Sequence, residues 1–300
     1  MQINMIRSDK VYQEMLELPL EKREGCFRAK ILAPFAMKYQ TQHIPLKAKY
    51  PGGFDALFLL GFMNQLPSTL SEKDRPAIDA LSSDQLWQNC QDTIKRSIGL
   101  FEQAGYDLEV EDYHFTILLG NPEKDMLQLN KGYSGDGGIP GYLMLSILPN
   151  DYTLPRIQAA LAHECNHNVR FQFVKWNQQT TLADWVVSEG LAESFAAELY
   201  GKELIGPWVT STSSEQLEEI KPIISSQLQL TGMAEMAPYL YGDEIAKIQG
   251  QIPVGMPYAA GYSYGYHLIQ AYLKKTGKSI IEATVTPTEE ILEATEDFWK

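Results

Sequence analysis

The feature that most constrains this chain is a pentapeptide, His163-Glu164-Cys165-Asn166-His167, which contains two of only five histidines in the sequence. Residues four positions apart lie on one face of an α-helix, so both imidazoles can reach a single ion. Glu164 lies next to the first histidine, where its carboxylate can accept a proton from a metal-bound water as general base. Zinc lowers the pKa of such a water to about 7. The pattern therefore predicts a catalytic metal site on a helix.

A second acidic segment supplies the remaining ligand, because a catalytic zinc needs three protein ligands and one open position. Glu189 follows His167 by 22 positions, which lets the first helix end and an antiparallel second helix return a carboxylate. Glu193 lies one turn further and can accept the second N–H of a ligating imidazole. Apolar neighbours such as Ala192 and Phe195 argue against a solvated acidic face, and a carboxylate in such surroundings requires a cation. We predict that His163, His167 and Glu189 bind Zn²⁺ and that Glu193 accepts a hydrogen bond from one of the ligating imidazoles.

Composition and charge limit the other classes of function. The formal net charge of −13 predicts no nucleic-acid partner and no membrane partner, since it repels phosphate backbones and anionic headgroups. Three scattered cysteines do not form a disulfide framework. The N-terminal residues lack the pattern of a signal peptide, and the longest apolar run, residues 54–63, is far shorter than the roughly 20 residues that span a bilayer. A cytoplasmic protein is expected.

The order of predicted elements indicates an α+β fold that is mostly helical, with a small twisted sheet next to the motif helix. Apolar spacing predicts helices at 9–18, 21–37, 84–104, 155–173, 181–201, 215–230 and 262–275, and strands at 113–119 and 141–148. Thr181 and Asp184 form a capping-box pattern at the start of the second site helix. The domains expected are a helical region 1–105, a metal-binding core 106–205 and a helical region 206–300, together forming one compact unit.

The motifs resemble those of the gluzincin metallopeptidases, in which the third ligand often opens a Glu-Gly-x-Ala segment, here Glu189 to Ala192. With the helical N-terminus, the Gly-rich stretch 132–138 and the segment 261–266, the whole chain is similar to a bacterial family of predicted zinc-dependent proteases. The resemblance implies a zincin-like fold whose helical C-terminal part closes the cleft. It also implies an edge strand lining the cleft, matched here by residues 141–148, to which a peptide could pair. An ordinary core strand is the alternative for these residues.

Gluzincins usually add a tyrosine or histidine that stabilises the oxyanion, and this resemblance directs attention to a late aromatic cluster. Tyr262 and Tyr266 are four positions apart and share a helix face, whereas Tyr264 points elsewhere. His267 is a further candidate. Proton donation towards an oxyanion in a low-dielectric cleft supplies a few kcal/mol. Tyr262 is the favoured residue, and Tyr266 and His267 remain alternatives.

Two hypotheses for function follow from these residues. A third possibility is a helical protein in which the motif is coincidental and binds no metal. The first is a zinc metallopeptidase that hydrolyses a peptide or protein substrate, with Glu164 as general base and Tyr262 at the oxyanion. The second is a catalytically inactive or highly restricted zinc protein that acts as a binding or regulatory module. Glu164 favours the first hypothesis, because a structural zinc site needs no base and usually closes its fourth position.

Overall fold

The sheet predicted from two apolar runs has four strands in the computed structural model, which describes residues 1–299. These strands are β1 (Gln2–Met5), β2 (Asp112–Leu119), β3 (Tyr133–Asp136) and β4 (Tyr142–Ile147), arranged in the order β1-β2-β4-β3. The first two pairings are parallel, whereas β3 runs antiparallel to β4. With about 60% helix around this mixed sheet, the chain is α+β, as the sequence predicts.

The predicted strand at 141–148 is present as β4, but it is not an edge strand. It pairs with β2 on one side and with β3 on the other, so neither side is open to a peptide. The edge beside it is β3, which falls in the Gly-rich stretch. Glycine is depleted in strands, so a search for alternating apolar residues passes over this segment. The expectation that residues 141–148 form an edge strand is therefore wrong, and β3 occupies that position.

The chain divides into two compact units, which are described separately. The first contains Met1–Arg96 and Glu109–Glu164, and the second contains Ser97–Leu108 and the chain from Cys165 onward. Two long helices, α6 (Asp84–Gln103) and α8 (Ile157–Phe173), contribute residues to both. The domain boundaries predicted near residues 105 and 205 stay a prediction.

The first unit contains the sheet and a series of mostly short helices. Apart from α6 and α8, these are α1 (Ser8–Glu17), α2 (Leu20–Phe27), α3 (Ala36–Thr41), α4 (Ala56–Leu60), α5 (Arg75–Ala80) and α7 (Asp125–Leu129). The prediction of a single helix at 21–37 is wrong, because a π-turn (Arg28–Leu32) and a 3-10 turn (Ala33–Phe35) separate α2 from α3. Pro34 lacks the backbone N–H that a continuous helix requires.

The described part of the second unit contains helices joined by loops and no β-strand. Its further helices are α9 (Leu182–Tyr200), α10 (Pro207–Thr210), α11 (Ser214–Ser225), α12 (Met233–Tyr241), α13 (Asp243–Ile248), α14 (Ala260–Thr276), α15 (Ile280–Val285), α16 (Thr288–Ala294) and α17 (Glu296–Trp299).

The helix predicted at 215–230 is shorter in the structure, where α11 ends at Ser225. The carbonyls of Leu228 and Leu230 instead accept hydrogen bonds from the amides of Ala183 and Leu182. The first amides of a helix have no partner within the helix, so this segment of turns satisfies the start of α9. No helix within residues 1–299 is long and apolar enough to cross a membrane.

Candidate metal centre

The helix α8, which contains both motif histidines, has a well-defined start. The side chain of Asn150 accepts hydrogen bonds from the amides of Tyr152 and Thr153, and a 3-10 turn over Leu154–Arg156 leads into the helix. The helix then continues unbroken to Phe173, as predicted. His163 and His167 are both buried on it, so neither imidazole is a solvated surface group.

The helix α9 begins where the sequence predicts. Thr181 and Asp184 form the capping box: the Thr181 amide donates to the Asp184 carboxylate at 2.9 Å, and the Asp184 amide donates to the Thr181 hydroxyl at 3.3 Å. Every residue from 186 to 196 is buried. Glu189 and Glu193 are therefore two carboxylates enclosed in an apolar helix, and each requires compensation by donors or by a cation.

His163, His167 and Glu189 come together as the sequence predicts. Each offers one ligand atom, and the three atoms lie within 4.8 Å of one another. The Nε2 atom of His167 is 3.3 Å from Oε2 of Glu189. Two imidazole nitrogens and one carboxylate oxygen are a donor set that suits zinc, with a fourth position left for water or substrate. The residues therefore fit the metal, while their assignment as ligands stays a prediction.

Two glycines face each other where α9 and α14 meet, next to Glu189. Gly190 on α9 faces Gly265 on α14 so closely that a Cβ at 190 would lie 2.1 Å from the Gly265 carbonyl oxygen. A Cβ at 265 would lie 1.9 Å from the carbonyl oxygen of Val186. Real Cβ atoms do not approach below 3.0 Å, so only glycine at both positions permits this approach of the helix backbones. The glycine that follows Glu189 in the motif thus has a packing role.

Glu164 lies against the edge strand β3 within the first unit. A Cβ added to Gly135 would be 2.1 Å from Oε1 of Glu164, and one added to Gly137 would be 2.3 Å from its backbone oxygen. The carboxylate is buried and adjoins the backbone of the strand, since no side chain intervenes. The contact of these glycines with Glu164 is not predicted from the sequence, although the Gly-rich stretch before the motif was the available signal.

Glu193 accepts two hydrogen bonds from neutral donors. The amide of Gly206 donates to Oε1 at 2.6 Å, and the indole N–H of Trp208 donates to Oε2 at 2.7 Å. These donors contribute to compensating the buried charge. The predicted role of Glu193 behind a ligating imidazole stays a prediction. The role of Trp208 as a donor to Glu193 was not predicted from the sequence, because this residue lies outside both motifs.

The three candidates for the oxyanion lie on α14 in different surroundings. Tyr262 is half-buried and packs against the rings of Trp208 and Tyr241, at centroid distances of 6.3 and 6.0 Å. Tyr266 is buried, and burial together with the charge of Glu193 raises its pKa. Burial and the charge of Lys221 lower the pKa of His267.

Both tyrosines are linked to Glu193. The charge of Glu193 acts on Tyr266, and Tyr262 contacts the indole of Trp208, which donates a hydrogen bond to the Glu193 carboxylate. Tyr264 points elsewhere, as expected, and its hydroxyl is 3.1 Å from that of Ser225. Which residue stabilises an oxyanion stays a prediction, with Tyr262 still favoured.

A row of aromatic rings extends from His167 within the second unit. Phe171 stacks on the imidazole with centroids 5.6 Å apart and an interplanar angle of 7°. Trp176 lies 4.6 Å from Phe171, and Trp185 lies 4.7 Å from Trp176. The stacked ring limits the orientations open to His167, which favours pre-organisation of a ligand. The spacing of four between His167 and Phe171 was the available sequence signal.

Arg170 is fully buried three residues after His167 and forms hydrogen bonds only with neutral groups. Its guanidinium donates to the hydroxyls of Ser188 and Thr288 and to the carbonyls of Thr284 and Thr286, at 2.9 to 3.0 Å. Burial lowers its pKa to about 10. It thus ties α8 to α9 and to the C-terminal helices of the second unit.

Comparison with known proteins agrees with this centre. A family described as "Predicted Zn-dependent protease (DUF2268)" matches residues 86–293, more than two thirds of the chain. The uncharacterized protein YjfC of Bacillus subtilis (strain 168) is 35% identical over 285 residues, covering 95% of both chains. The uncharacterized protein YjaZ of the same strain is 25% identical over 155 residues, covering 50% of this chain and 55% of that one.

No solved structure gives a significant match. The family match includes α8, α9 and α14, and therefore every residue of the candidate centre. The chain belongs to the DUF2268 family of predicted Zn-dependent proteases.

Proposed function

We propose that the chain is a zinc metallopeptidase of the gluzincin type with a zincin-like fold. The observation that carries the proposal is the buried group of His163, His167 and Glu189, with Glu164 beside the first histidine on the same helix. A bound zinc would supply a Lewis acid that polarises the scissile carbonyl and acidifies water. The family description supports the same activity.

The residues of the chain have separable tasks in this proposal. His163, His167 and Glu189 would bind the metal. Glu164 accepts the proton of the attacking water and delivers it to the leaving amine, as a general base and then a general acid. Tyr262 donates a hydrogen bond to the oxyanion that develops on the former carbonyl oxygen.

The substrate in this proposal is an extended peptide or protein segment that pairs with β3. The strand is paired with β4 on one side, and no other described strand pairs with it. Main-chain hydrogen bonds to an exposed edge bind a peptide regardless of its sequence. Because the backbone of Gly135 adjoins the Glu164 carboxylate, a peptide on this edge would pass close to the general base.

The decisive test is Glu164→Gln, measured as zinc content and as hydrolysis of a library of fluorogenic peptides. We expect full zinc content and a loss of turnover of roughly 10²- to 10⁴-fold, since general-base catalysis contributes that factor. Glu198→Gln, the same change at an exposed position of α9, is the matched control and should retain wild-type turnover.

Three outcomes separate the alternatives. Wild-type turnover in Glu164→Gln would contradict the mechanism. Stoichiometric zinc with no hydrolysis by the wild-type protein would favour the binding or regulatory module. If neither the wild type nor His163→Ala binds zinc when zinc is supplied, the motif is coincidental and is not a metal site.

A further inference from the structure

One lysine of the first unit is buried and is not explained by the metal centre. Lys38, in the short helix α3, has a side chain that is only 2% exposed. Lysine is almost never fully buried unless it is paired, because its ammonium group loses hydration. The Nζ atom lies 2.7 Å from Oδ2 of Asp136 and donates a hydrogen bond to Oε1 of Gln42 at 3.1 Å. The carboxylate of Asp136 thus supplies the charge that pairs with the buried ammonium.

The acidic partner of Lys38 is the last residue of the edge strand β3. The side chain of Asp136 is 47% exposed, so water hydrates this carboxylate but hardly reaches the ammonium. Burying a charge offsets much of the attraction to its partner, and a buried ion pair is therefore weak evidence for a role in stability. The place of the pair in the fold is a better guide to its role.

Asp136 lies between the two glycines that contact Glu164. A Cβ on Gly135 would be 2.1 Å from Oε1 of Glu164, and a Cβ on Gly137 would be 2.3 Å from its backbone oxygen. Successive residues of a strand face opposite sides of the sheet. Gly135 therefore faces Glu164, while Asp136 points to the opposite side, where Lys38 binds it. The ion pair holds β3 from the side opposite the candidate general base.

The segment Gly135-Asp136-Gly137 needs such an anchor, because two of its three residues are glycines. Glycine weakens a strand, since it has the greatest backbone freedom and no side chain to pack. A side chain at residue 135 would occupy the space of the Glu164 carboxylate, so glycine is required there. The side chain of Asp136 is the one through which neighbouring elements can hold this segment, and Lys38 binds it.

The residue after Lys38 contacts the neighbouring strand at the same level. The hydroxyl of Tyr39 is 3.9 Å from Sδ of Met144, and Met144 is the residue of β4 that lies opposite Asp136. Two consecutive residues of α3 therefore contact the paired ends of β3 and β4. Because α3 is also fixed to β4, Lys38 is a stationary point to which the end of β3 is attached.

We propose that Lys38 is a positioning residue for the general base Glu164. Its ion pair with Asp136 fixes the end of β3, and the backbone of β3 in turn limits where the Glu164 carboxylate can lie. The proposal rests on the peptidase function proposed above and adds to it a residue outside both sequence motifs. Lys38 contacts neither substrate nor water in this role, so it is not a catalytic residue.

The first measurement compares the kinetics of Lys38→Met with those of the wild type on the same fluorogenic peptides. Methionine keeps an unbranched side chain and removes the ammonium group. We expect kcat to fall by about tenfold to 10²-fold, the effect of displacing a reacting group by roughly 1 Å. KM should change by less than about twofold, because β3 stays paired with β4 and its other edge still binds the peptide.

The second measurement needs no activity and uses the full chain without added zinc. Hydrogen exchange of the segment 133–137, followed by mass spectrometry, reports how often this end of β3 opens. We expect exchange to be at least roughly tenfold faster in Lys38→Met than in the wild type.

The matched control is Lys30→Met, the same change in the same unit. Lys30 is 50% exposed and is paired with Glu14 at 2.5 Å, so this variant also loses one ion pair of a lysine. It should keep the kcat of the wild type and its exchange at 133–137.

A third variant tests whether the two charges act together. In Asp136→Asn the new amide oxygen can still accept a hydrogen bond from Lys38, and this variant replaces Lys38→Met if circular dichroism shows that the latter is unfolded. If the residues act as a pair, the kcat of Lys38→Met/Asp136→Asn should lie within about twofold of the lower single variant. Losses in kcat that multiply would contradict the pair.

The outcomes separate this inference from the peptidase function. A folded Lys38→Met protein with the kcat of the wild type would overturn the inference. A lower kcat with unchanged exchange at 133–137 would also overturn it, because Lys38 would then act by another route. Absence of hydrolysis by the wild type would refute the peptidase function instead, and hydrogen exchange would then decide whether Lys38 holds β3.

Discussion

The contact between Gly190 and Gly265 can be tested by adding one methyl group. In Gly265→Ala the new Cβ would lie 1.9 Å from the carbonyl oxygen of Val186, whereas real Cβ atoms stay beyond 3.0 Å. The α9 and α14 backbones must therefore separate by roughly 1 Å, in a region where every residue of α9 is buried. Overpacking of this kind costs about 1–3 kcal/mol, and a backbone clash belongs at the upper end.

Two readouts follow from this displacement. A loss of about 3 kcal/mol lowers the Tm of a chain of this size by roughly 6–12 °C, measured on the zinc-free protein so that packing alone is probed. Because Glu189 precedes Gly190, the same shift moves its carboxylate, and ligand distances tolerate only about 0.2 Å. Zinc affinity, measured by competition with a chromophoric chelator, should fall by more than about tenfold.

The control is Gly99→Ala, four residues before the end of α6, where the nearest atom to a new Cβ is 3.8 Å away. Alanine is favoured over glycine in a helix by about 1 kcal/mol, so this variant should be as stable as the wild type or more so. A Gly265→Ala protein with the Tm of the wild type would refute the packing argument. A lower Tm with unchanged zinc affinity would refute the link to Glu189.

Two further predictions concern the general base and acid stability. Gly135→Ala places a Cβ 2.1 Å from Oε1 of Glu164 and should keep zinc while lowering kcat about 10²-fold; Gly138→Ala, with no atom within 4 Å of a new Cβ, is the control that should keep kcat. His267 has a pKa lowered by burial and by Lys221, so the unfolded state binds a proton first as pH falls through about 6.5 and stability is lost below that pH. The Tm of His267→Gln should therefore fall less than the Tm of the wild type between about pH 7.5 and pH 5. Parallel curves of Tm against pH would contradict this role of His267.

The helices of the site could be predicted from the sequence because their signals are local. The capping box of Thr181 and Asp184 and the 3.6-residue period of α8 depend only on neighbouring residues. The spacing of His163 and His167 fixes their common face in the same way. Glu189 needed one longer step, the return of a second helix, and the structure brings its carboxylate to the imidazoles.

The elements that could not be predicted depend on contacts distant in sequence. The strand β3 contains Gly135 because the Glu164 carboxylate occupies the space of a side chain, a requirement invisible in its own segment. The residues that follow the end of α11 at Ser225 contact a distant segment, because the carbonyls of Leu228 and Leu230 accept hydrogen bonds from the first amides of α9. Phe54, Phe58 and Phe62 are a further example, because they resemble a buried apolar run until their exposure is known.

The two buried acids of α9 show how packing and chemistry constrain each other at the candidate centre. A helix buried on every side normally contains no carboxylate, because each buried charge requires compensation. Glu193 obtains that compensation from the N–H groups of Gly206 and Trp208. Glu189 lies 3.3 Å from the imidazole of His167 and within reach of His163. A dication at this point would compensate the Glu189 carboxylate directly, and the burial of α9 is therefore compatible with a bound metal for the same reason as the donor set is.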